Sequence, residues 1–432
     1  MKMTKAGTVP PRTGVEASGA QSPEAGARTH RWWQFRVLFG LMFAYLFFYT
    51  GRQNFGWALV SMNESLGYSM QQLGWISSAG LMAYGFGQFI NGNLGDKFGG
   101  RVMVTIGGLL SCVLNWVTSF GTSYWTIFAP WAANGYAQSM AWAPGSRMLS
   151  NWWPAEERGK AYGFYLFAAG SSSIVIFAIG AGLAAMHLSW QWIFRLPVLL
   201  LAVACVVFYF VARDKPEDVG LPPLEDDEPA RPGEQEESSL QRYVYVVKDW
   251  RFLLAILSLG FESFARYGLV IWVPVHLMGP AYADSPSAVW IGVALPVGMA
   301  LGALSTGYVS DRFFGSNRSR PIAILMALAM LVLFLIYITP VEWVGAGIVL
   351  LFLSGFLVYG PHSCYWALCP DLMGRKRAGT ATGVMNFWAY MVAAATGPLI
   401  GWTIDSFDTT VLFLLLSASC ALGALVILPI RR

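Results

Sequence analysis

The chain has 432 residues, is 56% hydrophobic and only 12% charged, about half the charged fraction of a soluble domain. Four His and 24 acidic residues leave little for hydrolytic or metal chemistry, and the five Cys all fall inside apolar stretches, so no zinc site, disulfide framework, cofactor or enzyme activity is expected. The net charge of +4 is small for this length and does not point to nucleic acid.

Residues 1–32 are polar, with Gly, Pro and Ser, and are expected to form a disordered cytoplasmic tail. They lack the apolar core and cleavage site of a signal peptide. A spanning helix takes about 20 mostly apolar residues. Twelve such runs follow, near 33–57, 71–94, 102–121, 124–149, 160–186, 191–212, 250–277, 286–310, 321–339, 342–371, 377–404 and 409–429. The segment 213–248, rich in Pro, Glu and Asp, reads as a solvated cytoplasmic linker. The expected fold is an all-α membrane protein. Twelve transmembrane helices form two pseudo-symmetric six-helix bundles, 33–212 and 249–430. Of the 28 Lys and Arg, 24 fall in the tail, the linker and the loops on the same side. Positive residues stay cytoplasmic, so both termini are expected inside a cytoplasmic (inner) membrane, with a multi-pass chain embedded in the lipid bilayer.

The first span carries Tyr45, Tyr49 and Arg52 at i, i+4 and i+7, one polar stripe in an apolar helix. Arg presents a planar fork of donors that matches phosphate, sulfonate or carboxylate oxygens. A charge at bilayer depth costs roughly 2.5–3.5 kcal/mol on insertion scales, so it marks a pathway or a ligand site. Arg266 holds the matching place in the second half, and two arginines, one from each half, suggest one anion held between them. Other polar residues at helical spacing are Tyr84 and Gln88, Asn134 and Gln138, Tyr359, His362 and Ser363, and Asn386 and Tyr390. Glu262 lies one turn before Arg266, where the two can pair. It and His362 are candidates for coupling transport to protons.

The halves echo each other. Gly92-Asn-Leu-Gly-Asp96-Lys97 returns as Gly307-Tyr-Val-Ser-Asp311-Arg312, the Arg158–Gly163 stretch returns at Ala378–Gly383, and Gly135 matches Gly355. Such repeats suggest a transporter with its site near midplane at the repeat interface. Gly-Ser and Ala-Gly runs at 170–173 and 393–397 allow close helix approach and are expected where the bundles touch.

Gly92–Arg101 resembles the loop motif between helices 2 and 3 of the major facilitator superfamily. The remainder resembles the organophosphate:phosphate antiporter family, typified by bacterial glycerol-phosphate and hexose-phosphate transporters. The matching pieces include Tyr45-x3-Tyr49-x2-Arg52-x-Asn54-Phe55, Ala83-Tyr84-Gly85-Phe86, Asn151-Trp152-Trp153 with Glu157-Arg158-Gly159, and Arg213-Asp214-x-Pro216. In the second half they are Arg266-Tyr267-Gly268, Tyr359-Gly360-Pro361 and Ala378-Gly379-Thr380-Ala381. The resemblance implies that Arg52 and Arg266 grip the anionic group. It implies that Tyr45, Tyr49, Tyr84, Gln138, Tyr359 and Tyr390 line the cavity, and helical spacing adds Gln88 and Asn386 to the expected site. Asp96, Arg101, Asp311 and Arg318 would hold a cytoplasmic gate, and the molecule would be a monomer.

The chain departs from that pattern at three places. Gln53 and Gln88 stand where the best-known phosphate-ester carriers have Lys, and Ala169 stands where the glycerol-phosphate type has His. Two Arg balance a phosphate monoester of about −1.5 to −2 with no surplus. The expected function is alternating-access transport of a small organic anion, foremost an organic phosphate exchanged for inorganic phosphate. The alternatives are a proton-coupled symporter of a sulfonate, phosphonate or carboxylate, and a membrane sensor of such an anion.

Overall fold

The computed structural model of the protein describes residues 23–223, 239–277, 288–314, 317–340, 342–373 and 378–430, and among these every regular element is a helix. The first half comprises α1 (Pro23–Phe48), α2 (Asn54–Leu66), α3 (Met70–Phe98), α4 (Gly100–Ser119), α5 (Tyr124–Gln138), α6 (Trp142–Trp152), α7 (Ala155–Ala185) and α8 (Trp190–Val211). A short α9 (Ser239–Lys248) precedes the second half: α10 (Trp250–Leu277), α11 (Ala288–Phe313), α12 (Ser319–Ile338), α13 (Val344–Tyr359), α14 (Pro361–Met373), α15 (Ala378–Ala394), α16 (Thr396–Ser406) and α17 (Val411–Ile427). Helix α1 starts at Pro23, inside the expected tail.

Four passes are built from two helices each, α1/α2, α5/α6, α13/α14 and α15/α16, which gives twelve passes among the described residues. Eight have the length and apolarity to cross a membrane. The other four are the two split passes of the first half, the polar α3, and α17 with its 17 residues. Broken helices survive at bilayer depth only where protein groups satisfy the freed backbone.

The two halves use the same internal packing. A methyl on Gly135 of α5 would overlap the Gly80 carbonyl of α3, and a methyl on Gly355 of α13 would overlap the Leu295 carbonyl of α11. These are the two glycines matched by the repeat, and each lets the fourth pass of its half lie against the second.

Between the halves, α3 packs on α15 and α16, α7 on α11, and α2 on α10. At the end of the molecule opposite the linker this seam is shut. Gly74 and Gly397 put the backbones of α3 and α16 in contact, and a Cβ on either would overlap the other's carbonyl. Ser78 donates to the Ala394 carbonyl across the same seam. The Asp405 carboxylate of α16 accepts the backbone N–H groups of Met70 (2.9 Å) and Gln71 (2.8 Å). An acid there caps the positive start of α3 across the interface. Gly170 meets Ala300 where α7 crosses α11. The two runs of small residues therefore do lie where the halves touch. At the linker end the same two helices part around a cavity of about 600 Å³, bounded by Phe164, Phe167, Ala303 and Leu304 and by residues of α14.

Candidate anion-binding site

The first pass breaks at a 3-10 turn, Tyr49–Gly51, with Arg52 capping it at φ −125°, ψ −41°. The backbone N–H groups of Arg52 and Gln53 both return to the Tyr49 carbonyl (3.1 and 2.9 Å), so the Gly51 carbonyl leaves the helix ladder. Side chains of the neighbouring helices satisfy it. Asn134 Nδ2 donates to it at 2.7 Å and Asn115 Nδ2 at 3.1 Å. Ser111 Oγ donates to Asn134 Oδ1 (2.6 Å), Gln138 Nε2 to Ser111 Oγ (2.7 Å), and Asn54 Nδ2 to Asn115 Oδ1 (2.9 Å). Gln138, expected on the cavity wall, belongs to this buried brace instead.

Removing a donor from the brace leaves a buried carbonyl short of a partner, at a cost of about 1–3 kcal/mol. Asn134→Ala is therefore expected to lower the thermal unfolding temperature in detergent. An unfolding temperature equal to that of the unaltered chain would mean the break stands without its brace.

The brace aims Arg52 at the seam between the halves. Its guanidinium lies 4.2 Å from the Tyr49 ring centre and 4.7 Å from that of Tyr84, and Nη1 donates to Tyr390 Oη of the other half at 3.5 Å. Arg266, 6% exposed on α10, lies 4.3 Å from the Tyr359 ring and 5.1 Å from the Tyr267 ring. Tyr390 joins the two groups, with ring centres 4.4 Å from Tyr84 and 5.6 Å from Tyr267. Among the described residues no carboxylate lies within ion-pair distance of either guanidinium. The Nε of each is buried without a hydrogen-bond partner, and so is the Tyr267 hydroxyl.

A space of about 40 Å³ beside Arg266 is bounded by Tyr45, Tyr49, Tyr84, Tyr267, Tyr359, His362, Asn386 and Tyr390 together with Trp142, Ala169, Ser263, Trp366 and Ala389. Arg52, Gln53 and Tyr267 border a smaller hollow of about 20 Å³ beside it. Small-molecule sites usually measure about 300–1,000 Å³, and both of these spaces are smaller. Tyr359, His362 and Trp366 border both this cage and the large cavity at the linker end, and form the wall between them.

Taking an ion out of water costs several kcal/mol, and a desolvated cation–π contact returns about 2. Tyrosine faces alone leave both guanidinium groups short of compensation, and an anion's oxygens would supply it.

Glu262 does not pair with Arg266. Its carboxylate, 0% exposed, turns to His362 of α14, with Oε1 3.5 Å from Nδ1, and Oε2 accepts Ser263 Oγ at 3.2 Å. Spacing along α10 puts Glu262 and Arg266 on one face, but the rotation of that face brings Glu262 against α14, whose histidine is the nearer partner.

The family model described as Major Facilitator Superfamily matches residues 41–398, most of the chain. The protein belongs to that superfamily. It is similar to the "Glycerol-3-phosphate transporter" of Bacillus subtilis, 29% identical over 404 residues and 90% of each chain. It is also similar to the "Probable hexose phosphate transport protein" of Chlamydia pneumoniae, 26% identical over 95% of this chain and 93% of that one. The "Membrane sensor protein UhpC" of Salmonella typhimurium is 25% identical over 94% and 93%. Among solved structures, a bacterial homolog of the human lysosomal transporter Spinster, inward-facing and unoccupied, matches with a TM-score of 0.73 at 12% identity, covering 92% of this chain and 94% of that one. That likeness is one of fold. The phosphate-carrier resemblance of the motifs thus extends to whole relatives, which are transporters and a sensor and not enzymes.

Within this facilitator, the remaining expected residues fall into three groups. Ala169 and Gln53, two of the positions that lack a cation, do face the cage and its side hollow. Gln88 borders none of these spaces, and its Nε2 is buried without a partner. At the linker end, Arg101 and Arg318 each tie elements of their own half. The Arg101 N–H donates to Asp214 Oδ1 at 2.7 Å, and its guanidinium lies 4.7 Å from the Tyr209 ring. Asn151 and Trp152 hold the carbonyls of Asp214 and Arg213, so the Arg213-Asp214 motif docks the start of the linker on α4 and α6. Burial pushes the Asp214 carboxyl above its ordinary value, against the backbone N–H groups of Arg101 and Gly100. Arg318 donates to Ser310 Oγ (3.1 Å) and lies 3.8 Å from Asp371. The side chains of Asp96 and Asp311 lie outside the described residues. Tyr267 was not singled out from the sequence, yet it borders both hollows. Its only signal was its place after Arg266 in the family-like motif.

Proposed function

We propose that this protein is a secondary transporter that carries an organic phosphate across the cytoplasmic (inner) membrane by alternating access, in exchange for inorganic phosphate. The reading rests on one observation: two guanidinium groups, one from each half, lie among one linked set of tyrosines with buried Nε donors, and among the described residues no carboxylate is within ion-pair distance of either. Such groups bind phosphoryl oxygens in bidentate fashion. The named activities of the glycerol-3-phosphate and hexose phosphate relatives support that choice of anion.

In this reading the linker end faces the cytoplasm and carries both termini, as the placement of Lys and Arg supports. The closed seam at Gly74, Gly397 and Asp405 is then the outer gate, and the large cavity is the inward path. The anion bridges Arg52 and Arg266, neutralises both, and lets the halves close around it and rock. A protein without an anion keeps net positive charge at its seam, which opposes closure and ties the return stroke to a second anion. One chain suffices for this cycle.

Counterflow in proteoliposomes tests the reading. Vesicles loaded with inorganic phosphate should accumulate labelled glycerol 3-phosphate or glucose 6-phosphate well above protein-free vesicles. Binding of these esters without any exchange would make the protein a sensor. No binding of any phosphate compound would remove the substrate class.

A further inference from the structure

We propose that Glu262 and His362 form a proton site, and that this pair takes up one proton as the anion binds, so that a proton crosses with the substrate. The inference deepens the proposed function and rests on its reading of the arginine cage as the anion site.

The geometry is that of a buried pair with one bonding place unfilled. Glu262 is wholly buried, and a carboxylate in that position needs a partner or a proton. Its Oε2 has Ser263, but its Oε1 has no hydrogen bond, and neither has His362 Nδ1. The two unsatisfied atoms face each other at 3.5 Å. A proton placed on either one turns that contact into a charge-assisted or neutral hydrogen bond, and no other bond has to form or break.

The groups that face the pair come from four helices. From α10 comes Arg266, from α13 Tyr359, from α14 Tyr365, and from α17 Cys420, each within electrostatic reach of Glu262. The Tyr365 hydroxyl is already engaged with Ser258 at 2.5 Å. Among these neighbours only Arg266 carries a fixed charge, and it is itself assigned to the anion.

His362 also supplies a route. Glu262 is sealed, but His362 stacks on Tyr359 with ring centres 4.9 Å apart and borders both the cage and the large cavity at the linker end. A proton held by the pair can leave through the imidazole to that cavity without passing the arginines.

Charge balance gives the coupling its sign. With Glu262 ionised and His362 neutral, two arginines and one carboxylate leave the site at +1. A dianionic phosphate ester would bring it to −1, and one proton on the pair restores neutrality. The missing cations at Gln53 and Ala169 make that proton necessary where a richer site would not need it.

Two measurements on the purified full-length chain test the proposal. Infrared difference spectra of the protein without ligand, taken on acidification, should show a carboxylic-acid or imidazolium band that grows. The band should vanish in Glu262→Gln and change its midpoint in His362→Gln, with Glu262→Asp restoring it. Absence of a titrating band, or a band indifferent to both substitutions, overturns the proposal and makes the pair a static contact. Calorimetry of glycerol 3-phosphate binding near pH 8, where the probe is a dianion, in buffers of different ionisation heat should give uptake of about one proton per anion, falling to about zero in Glu262→Gln. Equal uptake in both proteins also overturns it. Should inorganic phosphate, glycerol 3-phosphate and glucose 6-phosphate all fail to bind, the substrate class falls while the infrared result still decides the proton site.

Discussion

Arg52→Lys and Arg266→Lys are each expected to reduce counterflow by roughly 10- to 100-fold, although the formal charge is kept. Hydrogen bonds to charged groups contribute about 1.5–3 kcal/mol each, and 1.4 kcal/mol is about tenfold. Lysine offers a point charge where arginine offers a planar fork, so the bidentate grip on phosphoryl oxygens is lost. It also loses the flat face that now lies 4.2 Å from Tyr49 and 4.3 Å from Tyr359. In the proposed mechanism both arginines contact one shared anion and one linked set of tyrosines, so the two substitutions combined should cost less than the sum of their separate effects. Near-normal counterflow by both single variants would refute the bridge between the halves, whatever the substrate.

Gly397→Val should hold the seam at the far end open and lower transport at least about fivefold. The α3 and α16 backbones touch at Gly74 and Gly397, and any Cβ there overlaps a carbonyl. Overpacking a tight contact costs about 1–3 kcal/mol or more, enough to move a two-state equilibrium by roughly 5- to 150-fold. Ser78 is 1% exposed at this seam. A Ser78→Cys reporter, in a chain lacking its native cysteines, should therefore react with an impermeant thiol reagent faster when Gly397→Val is present. Asp405→Asn should act in the same direction but more weakly, since an acid at a helix start contributes about 0.3–2 kcal/mol. Unchanged labelling in Gly397→Val would mean that this contact does not control access.

Several parts of the site were legible in the sequence for a simple reason. Arg52 and Arg266 stand out because charge is rare inside spanning segments, and their symmetric placement is visible in one dimension. The match of Gly135 with Gly355 also carried through to structure, because both glycines answer the same steric demand in the two halves. What the sequence misjudged were choices between partners. Glu262 has Arg266 at helical spacing, yet its carboxylate meets His362, which lies 100 residues further along the chain. Gln138 has the spacing of a cavity residue, yet it supports the Gly51 carbonyl through Ser111 and Asn134. Tyr267 follows Arg266 directly, and adjacent helical residues point in different directions. It still reaches the site, because the cage and its side hollow meet α10 from two sides. Asp405 gave no sign of its role, since nothing in its own segment reveals that the start of α3 lies opposite.

By itself the sequence determined the membrane class, the number of passes, the doubling of the bundle and the two buried cations. Those follow from the free energy of moving each segment from water into lipid, which depends on local composition. Only the tertiary structure decided which polar groups meet, which end of the seam is shut, and which histidine faces the buried glutamate. Those outcomes depend on the rotation and crossing of helices distant along the chain, and small residues such as Gly74 and Gly397 set them through backbone contact that no single segment encodes.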